Sequence, residues 1–380
     1  MKVLYYIHSL VIGGAETIVT EYLIALKEKG VEIVLVVNQT VGSFLEKRLD
    51  DEGIKIYALD KAAPKGKIGK FAVRVINKLK NHRKILNDII AREKPDITHI
   101  HTDPKRFYGV DFPINKIVFS FHANVERALK MMTKKSGGIL RDMANNGLIF
   151  LALTEQMEKD IRLHFKTDNI YRLPNAVNLS KIRREAYRRD EFLPTIGVPE
   201  DAFVLGHVGR FNPVKNHEKV FSVFNALHKE KENSYLILVG GGDEKRTEEL
   251  KNLAEIYGLN DYVKFMGIRD DSARITACFD ALVFPSFNES FSLVLVEAQT
   301  LGVRCVASLG VPRDVIKNDN CFSLPLEASD EEWAKLLLGK SVAKNGGDLS
   351  EFDLSVVTDK LIEIYKKVSD EKDPGADGCF

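Results

Sequence analysis

The chain has 380 residues, 44% hydrophobic and 29% charged, with a formal net charge of +1. At roughly 150 residues per domain it has room for two domains with sizeable cores, and its near-neutral charge favours neither nucleic acid nor an acidic partner. The four cysteines (Cys278, Cys305, Cys321, Cys379) show no metal-ligand spacing and read as reduced thiols. No secretory leader is evident in "MKVLYYIHSL", and no window approaches the ~20 apolar residues of a membrane span, so a cytoplasmic protein is expected.

In chain order, predicted strands are Val3–His8, Glu32–Val37, Asp96–His101, Lys116–Phe121 and Ile149–Leu153. After an interruption come Phe203–Val208, Tyr235–Val239, Val263–Met266, Ala281–Phe284 and Arg304–Ala307. These runs are apolar on both faces, as in parallel strands covered by helices. Helical periodicity marks Ala15–Lys29, Val214–Lys229 and Lys245–Tyr257 between them. Repeated βαβ units predict an α/β fold of two doubly wound parallel sheets, and the charged, proline-bounded stretch between Pro174 and Pro199 predicts the boundary. The expected domains are 1–175 and 176–355, then a terminal helix at 356–368 and a disordered tail at 369–380. Ligands of such sheets lie beyond the carboxyl ends of the strands, so an active cleft between two facing domains is expected.

Candidate chemistry gathers at predicted strand ends. "GHVGRFNPVKNHE" places Arg210 and Lys215 on a strand-to-helix turn, Lys215 opening the helix; the two suit a diphosphate, and equally an ordinary basic turn. "LILVGGGDEKRTEEL" offers three glycines for close backbone approach but lacks a dinucleotide-binding spacing. In "PSFNESFSLVLVEAQ" a helix predicted over Phe291–Thr300 presents its first amides, near Ser292 and Leu293, to an anion. Glu289 lies before that anion site and Glu297 beyond it, so hydroxyls at both ends of a phosphate-bearing ligand would be bound, as in a nucleotide sugar. In the first domain, "IHSLVIGGAETIV" allows backbone approach at Gly13 and Gly14, and "FSFHANVE" ends a strand at His122, a catalytic or a structural histidine. "ITHIHTD" alternates His99, His101 and Asp103, but nothing completes a metal site and no D-x-D is present, so no metal and no other cofactor is expected. Residues 61–84 hold nine lysines and arginines and no acidic residue around an apolar stripe of Phe71, Val75 and Leu79. This fits an anionic membrane surface, as it fits a core helix with a solvated basic face; a second basic patch at 129–141 adds to the first reading.

Together "GGAE", "GHVGRFNPVKNHE" and "FNESFSLVLVEAQ" resemble glycosyltransferase family 4, retaining enzymes with the GT-B architecture of two facing Rossmann-like domains. The resemblance spans nearly the whole chain and is strongest over 203–308. It implies that Arg210 and Lys215 bind the donor diphosphate, Glu289 the transferred sugar, Glu297 the ribose diol, and the backbone near Ser292 and Leu293 phosphate or sugar. It also implies that Met266, Gly267, Ile268 and Arg269 flank the base, Gly14 approaches the donor, His122 sits near the reacting sugar, and the terminal helix at 356–368 crosses back to pack on the first domain. The sequence departs from the family pattern at Ser290, where glycine is frequent. The expected activity is hexosyl transfer from a nucleotide sugar, a UDP-sugar above all, to a glycan. A lipid-linked acceptor in capsule or exopolysaccharide assembly and peripheral attachment to the inner membrane face are further expectations. A sugar-nucleotide epimerase of the same fold, using His99, His101 and His122, and a silent nucleotide-sugar-binding subunit remain alternatives.

Overall fold

The computed structural model describes residues 1–11, 13–60, 81–339 and 348–370. The basic stretch at 61–84 lies mostly outside the described residues, as do Cys379 and all of the tail beyond Asp370. The chain forms two compact units: residues 1–176 together with 354–380, and residues 177–353.

In the first unit, β1 (Lys2–Ile7), β2 (Glu32–Val37), β3 (Lys55–Ala58), β4 (Ile97–Ile100), β5 (Ile117–Ser120), β6 (Ile149–Ala152) and β7 (Ile170–Arg172) form one parallel sheet. Its order is β3-β2-β1-β4-β5-β6-β7. The strands β1, β4, β5 and β6 are buried almost throughout, which is why their sequences are continuous apolar runs rather than alternating ones. Helices α1 (Gly14–Glu28), α2 (Phe44–Asp51), α3 (His82–Glu93), α4 (Val125–Met131), α5 (Lys134–Asn145) and α6 (Glu155–Phe165) connect them.

In the second unit, β8 (Phe203–Val208), β9 (Ser234–Val239), β10 (Val263–Gly267), β11 (Ala281–Phe284), β12 (Arg304–Ser308) and β13 (Cys321–Leu324) form a parallel sheet of order β10-β9-β8-β11-β12-β13. Its longer helices are α7 (His217–Glu230), α8 (Glu244–Ile256), α9 (Leu293–Thr300) and α10 (Asp330–Leu338). A reciprocal Ser329–Glu332 capping box starts α10, and Phe221, Phe224 and Trp333 anchor the core between α7, α10 and the sheet. Where the strand order reverses, β8 lies beside β11, and in the other sheet β1 lies beside β4. Crevices at such switch points are where open α/β sheets hold ligands.

The last helix, α11 (Leu354–Asp370), belongs to the first unit. Leu354, Val357, Leu361, Ile364, Tyr365 and Val368 repeat every three or four residues along one buried stripe. Lys29, which caps α1 at its C-terminus, pairs with Asp359 of α11 at 2.7 Å, and the buried Tyr365 hydroxyl meets Tyr5 of β1 at 2.5 Å.

Three strands escape the sequence reading: β3, β7 and β13. The region between Pro174 and Pro199 holds short helical turns and no named strand. Two helix starts also differ from expectation. Lys215 does not open a helix; it closes a 3-10 turn, Pro213–Lys215, and α7 begins at His217. Likewise α9 begins at Leu293, with Ser292 as its cap.

Candidate active site

The second unit gathers its strand-end turns through close backbone approach. Gly240 has φ +144°, and a Cβ there would lie 1.9 Å from the Gly209 carbonyl oxygen, so only glycine fits. The Gly209 N–H donates to Val239 O (2.9 Å), Phe211 N–H to Gly241 O (2.8 Å) and Gly240 N–H to Gly267 O (2.8 Å). These bonds lace the turns after β8, β9 and β10 side by side. The Asn212 side chain accepts from Lys215 N–H, and Asn216, in the left-handed region at φ 53°, caps α7. Between these two caps the chain turns sharply and lays the Lys215 stem over Gly209, where a Cβ would stand 3.1 Å from Lys215 Cε.

Lys215 Nζ meets Glu289 Oε1 at 2.8 Å, with both side chains largely buried (17% and 15% exposed). The ammonium also sits 4.5 Å from the centre of the Phe284 ring, the last residue of β11. The loop carrying Glu289 is pinned on two sides: Phe287 N–H donates to Val214 O (2.8 Å), and Glu289 N–H to Gly310 O (2.9 Å). Three residues farther on, Ser292 is buried and its hydroxyl accepts from Leu295 N–H at 3.4 Å. The amides of Leu293 and Val294, in the first turn of α9, have no intrahelical acceptor. Glu297 follows on the same helix, half-buried, and burial pushes its carboxyl up to about 7. Arg210 is exposed and pairs with no carboxylate among the described residues.

At the sheet edge, Met266 and Gly267 end β10, and Gly267 adopts φ +69°. Ile268 is 72% exposed and lies over Gly241, where a Cβ would be 2.8 Å from Ile268 Cγ1. Arg269 forks onto Asp271 (2.7 and 2.6 Å), which also accepts from the Tyr187 hydroxyl at 2.7 Å. Arg269 and then Tyr187 hold the Asp271 carboxyl down at about 2. The structure therefore joins Lys215 to Glu289 directly, seats Ser292 and Leu293 at the helix start beyond them, and places Glu297 farther along the same helix.

Sequence reasoning missed the layer beneath the Lys215 turn. His207 donates from Nδ1 to the Val283 carbonyl (2.9 Å), and His217 lies against it with ring centroids 4.8 Å apart. Both are fully buried, and desolvation holds His217 down to about 3 and His207 well below the usual range. Ten residues separate them, so no local spacing could have revealed the contact.

Gly13, Gly14 and His122 belong to the first unit. Gly13 caps α1 in extended conformation, and a Cβ there would meet the Glu16 carboxylate at 2.5 Å; a Cβ at Gly14 would meet open space. His122 lies two residues beyond β5, its Nε2 2.9 Å from Nδ1 of His101 with the rings stacked. His99 binds the Tyr365 hydroxyl (2.5 Å) and the Ser120 hydroxyl (2.8 Å) through its two nitrogens. Burial lowers His122 to about 4 and His99 to about 3, so all three histidines of this cluster are neutral near pH 7. Asp103 turns to its own basic turn, 3.3 Å from Arg106 and 3.4 Å from Lys105. Among the described residues no group of three His, Cys, Asp or Glu could hold a metal.

Comparison with known proteins adds independent findings. The family described as Glycosyltransferase Family 4 matches residues 12–181, and that described as Glycosyl transferases group 1 matches residues 188–338. The chain is 30% identical over 152 residues to a Bacillus subtilis (strain 168) protein named as glycosyltransferase EpsF, covering 40% of this chain and 39% of that one. It is 24% identical over 310 residues to a phosphatidyl-myo-inositol mannosyltransferase of Mycobacterium tuberculosis (strain H37Rv), covering 76% and 78%. With the first curated relatives it matches, the chain aligns over less than half of their length. The crystal structure of Anabaena HepE in complex with UDP shares the fold, with a TM-score of 0.77 at 17% identity over 97% of this chain and all of that one. Two Rossmann-like parallel-sheet units of this kind make up the GT-B fold.

Proposed function

Since this chain belongs to glycosyltransferase family 4, we propose that it is a retaining transferase moving a hexosyl unit from a nucleotide sugar to a glycan acceptor. The observation that carries the reading is the Lys215–Glu289 pair, set beside the first turn of α9 at the β8/β11 switch point. A cation, a carboxylate and unpaired helix amides match the diphosphate and hydroxyls of such a donor. In this reading Arg210 and Lys215 hold the diphosphate and take up its charge as it departs. Glu289 accepts from hydroxyls of the transferred sugar, Glu297 from the ribose diol, and the β10 edge backbone, Met266 to Arg269, borders the base. The bond from the anomeric carbon to the diphosphate oxygen breaks while the acceptor oxygen bonds to the same face. The departing phosphate oxygen takes the acceptor proton. No protein nucleophile, metal or cofactor enters this scheme.

Uridine as the base is supported by HepE, a protein of the same fold bound to UDP and to UDP-glucose. A lipid-linked acceptor in capsule or exopolysaccharide assembly, reached from the inner membrane face, is supported by the charge of residues 61–84. Among the described residues no helix is long and apolar enough to cross a membrane.

The test is a panel of UDP-, GDP- and ADP-sugars scored by melting temperature and by release of nucleoside diphosphate with glycan acceptors. A UDP-sugar should stabilise the protein most and release UDP only on transfer or slow hydrolysis. Isomerised donor without acceptor would favour an epimerase instead; stabilisation without release under any condition would favour a binding subunit.

A further inference from the structure

His101 is 4% exposed, and its ring lies between Tyr5 (5.3 Å, interplanar 15°) and His122 (5.1 Å, interplanar 25°). Its Nδ1 is 2.9 Å from His122 Nε2, while its own Nε2 is buried with no hydrogen-bond partner. Neutral imidazole has one N–H and one lone pair, so exactly two proton arrangements fit this contact. If His122 donated from Nε2, the only proton of His101 would sit on its Nε2, a buried N–H with no acceptor. If His101 donates from Nδ1, the orphan is a lone pair. Buried N–H groups without acceptors are the rarer and costlier defect, so the second arrangement wins. Protonating His101 to satisfy both sides is opposed by burial and by the neighbouring His99 and His122.

We infer that His101 is a positioning residue: its Nδ1–H donates to His122 Nε2 and so keeps the single proton of His122 on Nδ1. Nearby, His99 has both ring nitrogens engaged, by Tyr365 and Ser120, and does not compete for His122 Nε2. His122 is then a hydrogen-bond donor on its Nδ1 side. It suits an oxygen acceptor, such as a sugar hydroxyl or phosphate oxygen, and not the abstraction of a proton there. Any consequence for turnover rests on the transferase reading above; the tautomer does not.

The experiment is a long-range ¹H–¹⁵N correlation spectrum of the full chain labelled with ¹⁵N-histidine at pH 7.5. The His122 signals are identified by their loss in His122→Ala. Wild type should show His122 protonated at Nδ1 and bare at Nε2. His101→Ala should shift His122 toward the Nε2–H form, and His101→Asn, whose amide N–H replaces the Nδ1–H, should restore the wild-type pattern even if the alanine variant folds poorly. In the transfer assay His101→Ala should lower kcat by about tenfold or more with donor KM little changed, and His101→Asn should recover it. Wild-type His122 protonated at Nε2, or a His122 tautomer unmoved by His101→Ala, overturns the assignment. An altered tautomer with unchanged kcat removes the role in turnover. Should the tautomer behave as stated while no nucleotide sugar is used, the proposed function fails and the His101 assignment stands.

Discussion

Lys215 and Glu289 depend on each other, because each is largely buried and each neutralises the other's charge. Removing either leaves an uncompensated charge in a crevice that excludes much of the solvent. Lys215→Ala is expected to cost about 3 kcal/mol of transition-state stabilisation, roughly a hundredfold in kcat/KM, measured by nucleotide release. Glu289→Ala should lower turnover more than nucleotide affinity. Glu297 carries a different signature. Its carboxyl is raised to about 7 by burial, and a ribose diol donating to it favours the ionised form. Nucleotide affinity should therefore weaken as pH falls through 7 and level off above it, whereas Glu297→Gln should bind more weakly with little pH dependence; calorimetric titrations at pH 6 and 8 check this. Both glutamates and Lys215 were legible because a strand end, a loop and a helix start can be read locally. The ion pair itself was not, because it joins residues 74 apart in sequence. Nor was the Arg269–Asp271–Tyr187 cluster, which engages a side chain at the proposed base site.

Among the elements, the turns after β8 and β9 carry a severe steric demand on the backbone. Gly240→Ala places a methyl group against the Gly209 carbonyl in a backbone conformation that L side chains rarely adopt. About 2–4 kcal/mol of destabilisation is expected from strain and overpacking, read as a lower urea midpoint, with donor binding weakened as Gly209 shifts under Lys215. The three strands that sequence reading missed share one cause. β3, β7 and β13 are outermost in their sheets, three or four residues long and mostly half-exposed, so they lack the apolar run that a central strand must have. β8 and β11, buried on both faces, were read to the residue. The early helix start at Lys215 had a similar origin: helical periodicity cannot distinguish a 3-10 turn capped by Asn212 from the first turn of α7.

Across the whole molecule, the first unit is closed by its own chain end, since α11 packs against α1 and joins Tyr365 to Tyr5 and His99. Tyr365→Phe keeps the ring but strips a hydrogen-bond partner from both buried groups, so about 1–3 kcal/mol of stability should be lost in urea unfolding. Acid should act on both units. His99, His122 and His217 are held neutral by burial, with values of about 3 to 4 against about 6.5 unfolded. The unfolded chain therefore binds more protons below pH 6.5; stability is fully present above that pH and declines progressively as pH falls through 4 toward 3. The βαβ repeat and the break near residue 177 were legible from composition and periodicity. The attachment of α11 came from the family resemblance alone, because its apolar stripe specifies a buried face without naming what covers it.

The central claim is that the switch-point crevice of the second unit grips the diphosphate of a nucleotide sugar. Calorimetric titration of UDP into wild type, Lys215→Ala and Glu297→Ala at pH 8 tests it most directly. Wild type should bind one UDP, and both variants should bind it at least about tenfold more weakly, a loss of ~1.4 kcal/mol or more. Wild-type affinity in both variants would contradict the account.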